Sequence, residues 1–190
     1  MNQIIRFCMS CGQPTQDRTP EGDNRSRAVC GQCGEIHYVN PKIVAGAVAV
    51  YEDRVLLCRR AIEPRKNYWT LPAGFMENNE TVAEAAQRET REEAEGEVTL
   101  HGLLSIGDVP HIGQVHMYYL GDLIEGKHSV GVESLETRLF SEADIPWDDL
   151  AFKTVTETLR YYFSLRARPG FVASAPGEPY QFTAQWKPDR

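Results

Sequence analysis

Apolar and polar residues along this chain follow the two periods of regular structure. "KIVAGAVAVYEDRVLLCRR", Lys42 to Arg60, is two β-rich runs broken at Glu52-Asp53-Arg54, which predicts a hairpin opening just after Pro41. "EVTLHGLLSIGDV", "GQVHMYYLGDLI" and "LETRLF" predict three more strands, the first two separated by "PHIG". In "SEADIPWDDL", Ser141 reads as a helix N-cap and Pro146 as a stop; "KTVTETLRYYFSLRA" repeats Val155, Leu159, Tyr162 and Phe163 at helical spacing and predicts a closing helix. Strands, helix, strands and helix in this order predict an α/β fold with a mixed sheet between helices, not a doubly wound parallel sheet.

The central helix, within "GFMENNETVAEAAQRETREEAEGE" (Gly74 to Glu97), breaks a local rule. Glu92, Glu93, Glu95 and Glu97 crowd the end where the helix macrodipole is already negative, so each costs a few tenths of a kcal/mol where Lys or Arg would help. At about 100° per residue, Val82, Ala86, Glu89 and Glu93 share a stripe about 60° wide. Glu92 lies on its flank, while Glu84, Arg88 and Glu95 point elsewhere. Two carboxylates one turn apart on the side facing the body repel unless a cation bridges them, and oxygen ligands favour Mg²⁺ or Mn²⁺ beside a phosphate. Arg88 is expected to pair with Glu84 or Glu92 and to help orient the acids.

Four of the five cysteines form "CMSC" (Cys8, Cys11) and "CGQC" (Cys30, Cys33), with 18 residues between the pairs. This spacing suits a closed tetrahedral Zn²⁺ site of structural type, and Gly12, Gly31 and Gly34 permit the tight turns. Redox dithiols are the alternative. Cys58 reads as a small buried hydrophobe.

Gly74, Glu80, Arg88-Glu89 and Glu92-Glu93 in this spacing resemble the signature of the Nudix hydrolases, which cleave diphosphates linked to another moiety. Thr90, in place of an aliphatic residue, and Glu95, where glycine is expected, depart from the pattern. The resemblance implies a mixed-sheet α/β/α sandwich with Glu89, Glu92, Glu93 and the Ala73 carbonyl holding a catalytic metal. Glu92, Glu93 and Arg88 would serve catalysis. The ribbon followed by "NPK", "LLCRRAIEPR" and "DVPHIGQVHMYY" is similar to the zinc-ribbon branch, which hydrolyses FAD, NADH and ADP-ribose. Nudix enzymes often place an acid in a late loop, and in "GVESLETR" Glu133 and Glu136 are the candidates. Arg59, Arg60 and Arg65, with Lys66, stand near Tyr68 and Trp69, a mixture suited to holding phosphates and stacking a ring. Core packing is the competing role for Trp69. His111 and His116 flank a strand boundary, where each is read as an ordinary exposed histidine or a polar contact to substrate; His111 is the candidate site residue.

The expected organisation is a zinc ribbon at 1–40, a Nudix domain at 41–167 and an extended tail at 168–190. Pro169, Pro176, Pro179 and Pro188 exclude a long regular element from the tail. Phe171, Tyr180, Phe182 and Trp186 predict that it packs on its own domain or on a partner subunit, and with the family likeness they suggest a homodimer. A net charge of −7 over 190 residues argues against broad nucleic-acid binding. The absence of a membrane span and of a secretory leader in "MNQIIRFCMS" points to the cytoplasm. The substrate is expected to be a small nucleotide, FAD or ADP-ribose ahead of NADH; the alternative is a zinc-ribbon nucleotide sensor or RNA-binding regulator that does not hydrolyse.

Overall fold

The computed structural model describes residues 5–185 and divides into two compact units, Met1–Pro41 and Lys42–Arg190. In the first, Thr15–Arg18 (β1), Arg27–Cys30 (β2) and Ile36–His37 (β3) pair antiparallel in that order. Its buried residues are Cys8, Val29, Cys30 and His37. Such a core is too small to hold a fold unaided, which leaves the cysteines as the main cross-link.

The second unit is built around Lys42–Tyr51 (β4). It forms a hairpin with Arg54–Arg60 (β5), which then pairs with Trp69–Thr70 (β6); Ala73–Phe75 (β7) joins β4 nearer its start. The central helix, Val82–Ala94 (α1), leads to Val98–Val109 (β8) and Gln114–Leu123 (β9); Ser134–Phe140 (β10), Lys153–Arg166 (α2) and Tyr180–Thr183 (β11) follow. The strand order β10-β5-β4-β9-β8-β11 is mixed, with parallel β4·β9 and β8·β11 pairs. β5 pairs with β4 only through Val50↔Val55 and Tyr51↔Arg54, so the other end of β4 is free to take β7 at Val44, Ala45 and Gly46. This opening brings Ala73 and Gly74 beneath α1.

Strand alternation sorts side chains onto two faces. Ala45 and Ala49 on β4, with Leu56 and Cys58 on β5, pack with Ala85, Ala86 and Ala94 of α1; Val48, Val55 and Leu57 join Val155, Leu159, Tyr162 and Phe163 of α2. Small residues under α1 let the helix lie close to the sheet. Thr81 and Glu84 form a reciprocal capping box at its start, with Glu84 N–H to Thr81 Oγ1 at 3.2 Å and Thr81 N–H to Glu84 Oε2 at 2.7 Å.

One expectation is corrected here and one is sharpened. Ser141 stands at the N-cap of a single 3₁₀ turn only and makes no side-chain cap: its hydroxyl donates to Asp144 Oδ2 at 2.6 Å, and two such turns, Glu142–Asp144 and Trp147–Asp149, straddle Pro146. The tail contains a short strand, because β11 lies parallel to β8 with Phe182 beside Gly107 and Tyr180 stacked on Tyr161 at 4.8 Å. The tail thus packs on its own domain; Trp186 lies outside the described residues.

His116 is buried between β9 and the start of α2, within 2.9 Å of both Gln114 Oε1 and Thr154 Oγ1. Burial lowers its pKa to about 4. The unfolded imidazole takes up a proton below its ordinary value of about 6.5, so the stability that neutral His116 contributes is full above that pH and is lost as pH falls toward 4. His116→Gln is expected to flatten the decline in unfolding free energy across this window by up to about one proton's slope, read from denaturant unfolding at several pH values. An unchanged slope would show that His116 does not titrate on unfolding.

Candidate functional site

The site of the second unit forms where α1 crosses the opening beside β4. Glu89 and Glu93 are only 8% and 6% exposed, whereas Glu92 is exposed. Glu93 Oε2 accepts the Ala73 amide at 3.1 Å. Gly74 lies so close to Glu89 that a β-carbon there would sit 2.3 Å from Oε1, so any side chain displaces the carboxylate. Burial raises the pKa of Glu93 to about 8, offset in part by the Ala73 amide and reinforced by the Glu89 charge. Glu89 is raised as well, again chiefly by burial, with Arg88 opposing.

Arg88 is the hub of the site, in contrast to the expectation that it points elsewhere. Nη1 donates to Glu89 Oε1 at 2.6 Å and Glu92 Oε2 at 3.0 Å; Nε and Nη2 grip Glu80 at 3.0 and 2.8 Å, and Nη2 reaches Phe75 O at 3.0 Å. The expected pairing with Glu92 is present, while Glu84 is held in the capping box instead. This grip holds Glu80 at about pKa 2 and keeps Arg88 charged. Counting angles misplaced Arg88 because its long side chain leans toward the helix N-terminus and reaches the loop before the helix. The departure at Thr90 is absorbed internally, for its buried hydroxyl donates to Ala86 O at 2.8 Å. Glu95 takes the left-handed turn (φ 48) in which glycine was expected.

The remaining acids and cations divide. Glu133 is exposed on the loop before β10, close enough that its charge is felt by both Glu89 and Glu93. Glu136 stands one step further on, 3.8 Å from Arg59 Nη1. The loop from 61 to 68 folds over the end of β5: Arg59 Nε donates to Asn67 O at 3.0 Å, Arg60 Nε to Pro64 O at 2.9 Å, and Arg65 lies 5.1 Å over the Tyr68 ring. The Arg60 charge also reaches Glu93. Trp69 packs edge-on against Phe140 at 4.9 Å and contributes to the core. His111 is exposed on the Pro110–Ile112 turn, and His116 is buried away from solvent, not at the surface. The sequence reading missed Ser129, Gly131 and Ser134, which meet the end of α1; the glycine in "SVGVES" was its only visible signal.

In the first unit the four Sγ atoms lie within 4.8 Å of one another, with Cys8–Cys33 at 3.7 Å and Cys11 at 3.5 Å from both Cys30 and Cys33. A tetrahedron with Zn–S bonds of about 2.3 Å spaces its sulfurs about 3.8 Å apart, so the set fits zinc. Gly12 and Gly34, at φ 74 and 78, turn their amides back to Cys8 O and Cys30 O at 2.9 and 3.1 Å. Among the described residues, no other three metal-capable groups converge this closely: Arg88 lies between Glu89 and Glu92, and Glu93 is turned to Ala73.

A four-cysteine ribbon and an α/β/α sandwich with buried helix acids make up the two units of the chain. The family model described as Nudix N-terminal matches residues 6–39, and the NUDIX domain model matches residues 40–163. The chain belongs to the Nudix hydrolase family, in its zinc-ribbon branch. A crystal structure of a NUDIX hydrolase from Nitrosomonas europaea matches with TM-score 0.85 and 42% identity, over 95% of this chain and 100% of that one. An NAD-capped RNA hydrolase NudC of Vibrio vulnificus is 35% identical over 101 residues, 52% of this chain and 36% of that protein. An ADP-ribose pyrophosphatase of Methanocaldococcus jannaschii is 28% identical over 133 residues, 65% of this chain and 76% of that one. The chain thus spans about a third to a half of the length of the NudC proteins it matches. No helix among the described residues is long and apolar enough to cross a membrane.

Elemental analysis is expected to find about one zinc per chain. Cys11→Ser, at an exposed ligand, should remove it and expose the amides of the first unit to rapid hydrogen exchange; full protection without zinc would contradict a structural role.

Proposed function

We propose that the chain hydrolyses the diphosphate bond of an ADP-linked compound, using Mg²⁺ or Mn²⁺ and releasing AMP with a second phosphate ester. The observation that supports this most directly is the burial of Glu89 and Glu93 one turn apart, with no room for a β-carbon at Gly74. A hard cation is the partner that relieves such an arrangement. Glu89, Glu92, Glu93 and the Ala73 carbonyl would hold it. When bound, the ion neutralises charge on the phosphoryl oxygens and lowers the pKa of a bound water.

The chain's own groups supply the rest. Arg88 orients Glu89 and Glu92 from one guanidinium. Glu133, whose charge reaches Glu89 and Glu93, would take the proton as water oxygen bonds to one phosphorus and the bridging P–O bond breaks; Glu136, paired with Arg59, is the lesser candidate. Arg59, Arg60 and Arg65 are suited to the diphosphate, and Tyr68, beneath Arg65, to a ring.

The relatives' names support an ADP-ribose or nicotinamide dinucleotide end as substrate, and FAD stays in the set on the sequence resemblance. The name of the NudC relatives also brings RNA-linked NAD into consideration, against the expectation that nucleic acid is an unlikely partner. With a net charge of −7, such a substrate would be gripped at its dinucleotide end and not along the RNA.

With Mn²⁺, AMP or its RNA-linked equivalent is expected from at least one of ADP-ribose, FAD, NADH and NAD-capped RNA. Glu93→Gln should lower turnover by about 100-fold or more, and Gly74→Ala by about tenfold or more, each with the fold intact by circular dichroism. Tight binding of these compounds with no product would overturn hydrolysis in favour of a nucleotide sensor.

A further inference from the structure

The last turn of a helix leaves carbonyls without intrahelical partners, and buried ones must be met from elsewhere. One loop meets those of α1. Ser129 N–H donates to Ala94 O at 2.8 Å, Gly131 N–H to Glu93 O at 3.1 Å, and the Ser134 hydroxyl to the same Glu93 oxygen at 2.7 Å. The loop closes on itself through Ser134 N–H to Gly131 O at 3.1 Å, and Ala61 N–H ties it to the end of β5 by donating to Glu133 O at 2.8 Å.

The approach at Gly131 is closer than any side chain permits. A β-carbon there would fall 1.9 Å from Glu92 O, which is backbone and has no flexible end to yield. Ser134 is also opposite Arg60 in the β10·β5 ladder, and a register shift follows before Glu136 meets Arg59. Such bulges re-aim the side chains beside them. Glu133, next to Ser134 where this shift begins, is therefore bracketed by the Gly131 contact, the Ala61 bond and the Ser134 hydroxyl.

We infer that Gly131 and Ser134 are positioning residues that clamp the loop to the backbone of Glu92 and Glu93 and thereby fix the Glu133 carboxylate beside the helix acids. This role rests on the hydrolase reading above. It makes the backbone at Glu93 a shared datum for two groups: its own carboxylate and, through the clamp, that of Glu133. Losing the clamp then lowers kcat, because Glu133 is displaced, and leaves KM nearly unchanged, because the arginine loop still binds.

The test uses the full chain with Mn²⁺ and whichever compound the wild type cleaves. Gly131→Ala is expected to lower kcat by about tenfold or more with KM within about twofold, and Ser134→Ala, which adds no atom, to give a smaller loss of the same kind. Glu133→Gln should lower kcat in the wild type but have little further effect in the Gly131→Ala background. In the metal-free protein, the Gly131 amide should be protected from hydrogen exchange in the wild type and exchange freely in Gly131→Ala. Multiplying losses in the double variant, a fall confined to KM, or free exchange of Gly131 in the wild type would overturn the positioning role alone. A wild type without turnover would sink the hydrolase reading, and the role of Glu133 with it.

Discussion

Two carboxylates turned inward from one side of a helix, one turn apart, are the constraint around which this domain is arranged. Each loses water on burial and each repels the other, so their neighbours are chosen to make that tolerable. Gly74 leaves Glu89 the space a methyl group would take, the Ala73 amide meets Glu93, and the Arg88 guanidinium faces Glu89 and Glu92. Arg88, with the Arg60 charge reaching Glu93, is outnumbered by Glu80, Glu89, Glu92 and Glu93 when these are ionised. On the proposed reading, a hard cation would make up the difference.

The same constraint accounts for the acid-rich helix end. Glu97 is drawn off by Arg91 at 2.9 Å, and Glu95 bends the chain out of the helix. The carbonyls of Glu93 and Ala94 are bonded by the loop before β10 in place of a basic side chain. Glu92 and Glu93 lie on the side of the helix that carries Arg88 and Ala73, while the backbone carbonyls behind them are satisfied by neutral donors. The glycine-sparing opening of β4, the arginine grip and the loop clamp all converge on two turns of α1.

Much of this was legible in the residues because it depends on local period. The β4–β5 hairpin, the strands on either side of "PHIG", the closing helix and the cysteine spacing follow from patterns spanning a few residues. So does the inward stripe of Glu89 and Glu93, which needs only the helical angle. What escaped depends on reach or on distant partners. Arg88 was misplaced because the angle locates its β-carbon and not its guanidinium. Ser141 has the residue type of a cap, but Pro146 limits the segment to single turns. Pairing of β11 with β8 joins segments far apart in the chain, and the Gly131 contact is set by a helix backbone met only after folding. The burial of His116 likewise depends on Thr154, at the start of the last helix.

On the proposed reading, burial of the Glu93 carboxyl leaves the metal-free site holding a proton near pH 7 that a hard cation would displace. Mn²⁺ titration by calorimetry near pH 7, repeated in buffers of differing ionisation enthalpy, tests it most directly. With the Glu93 carboxyl raised to about 8, most of a proton should leave as each chain binds its metal, and the release should fade once the pH is well above that value. Tight Mn²⁺ binding near pH 7 with no proton released, or no Mn²⁺ binding at all, would contradict the account.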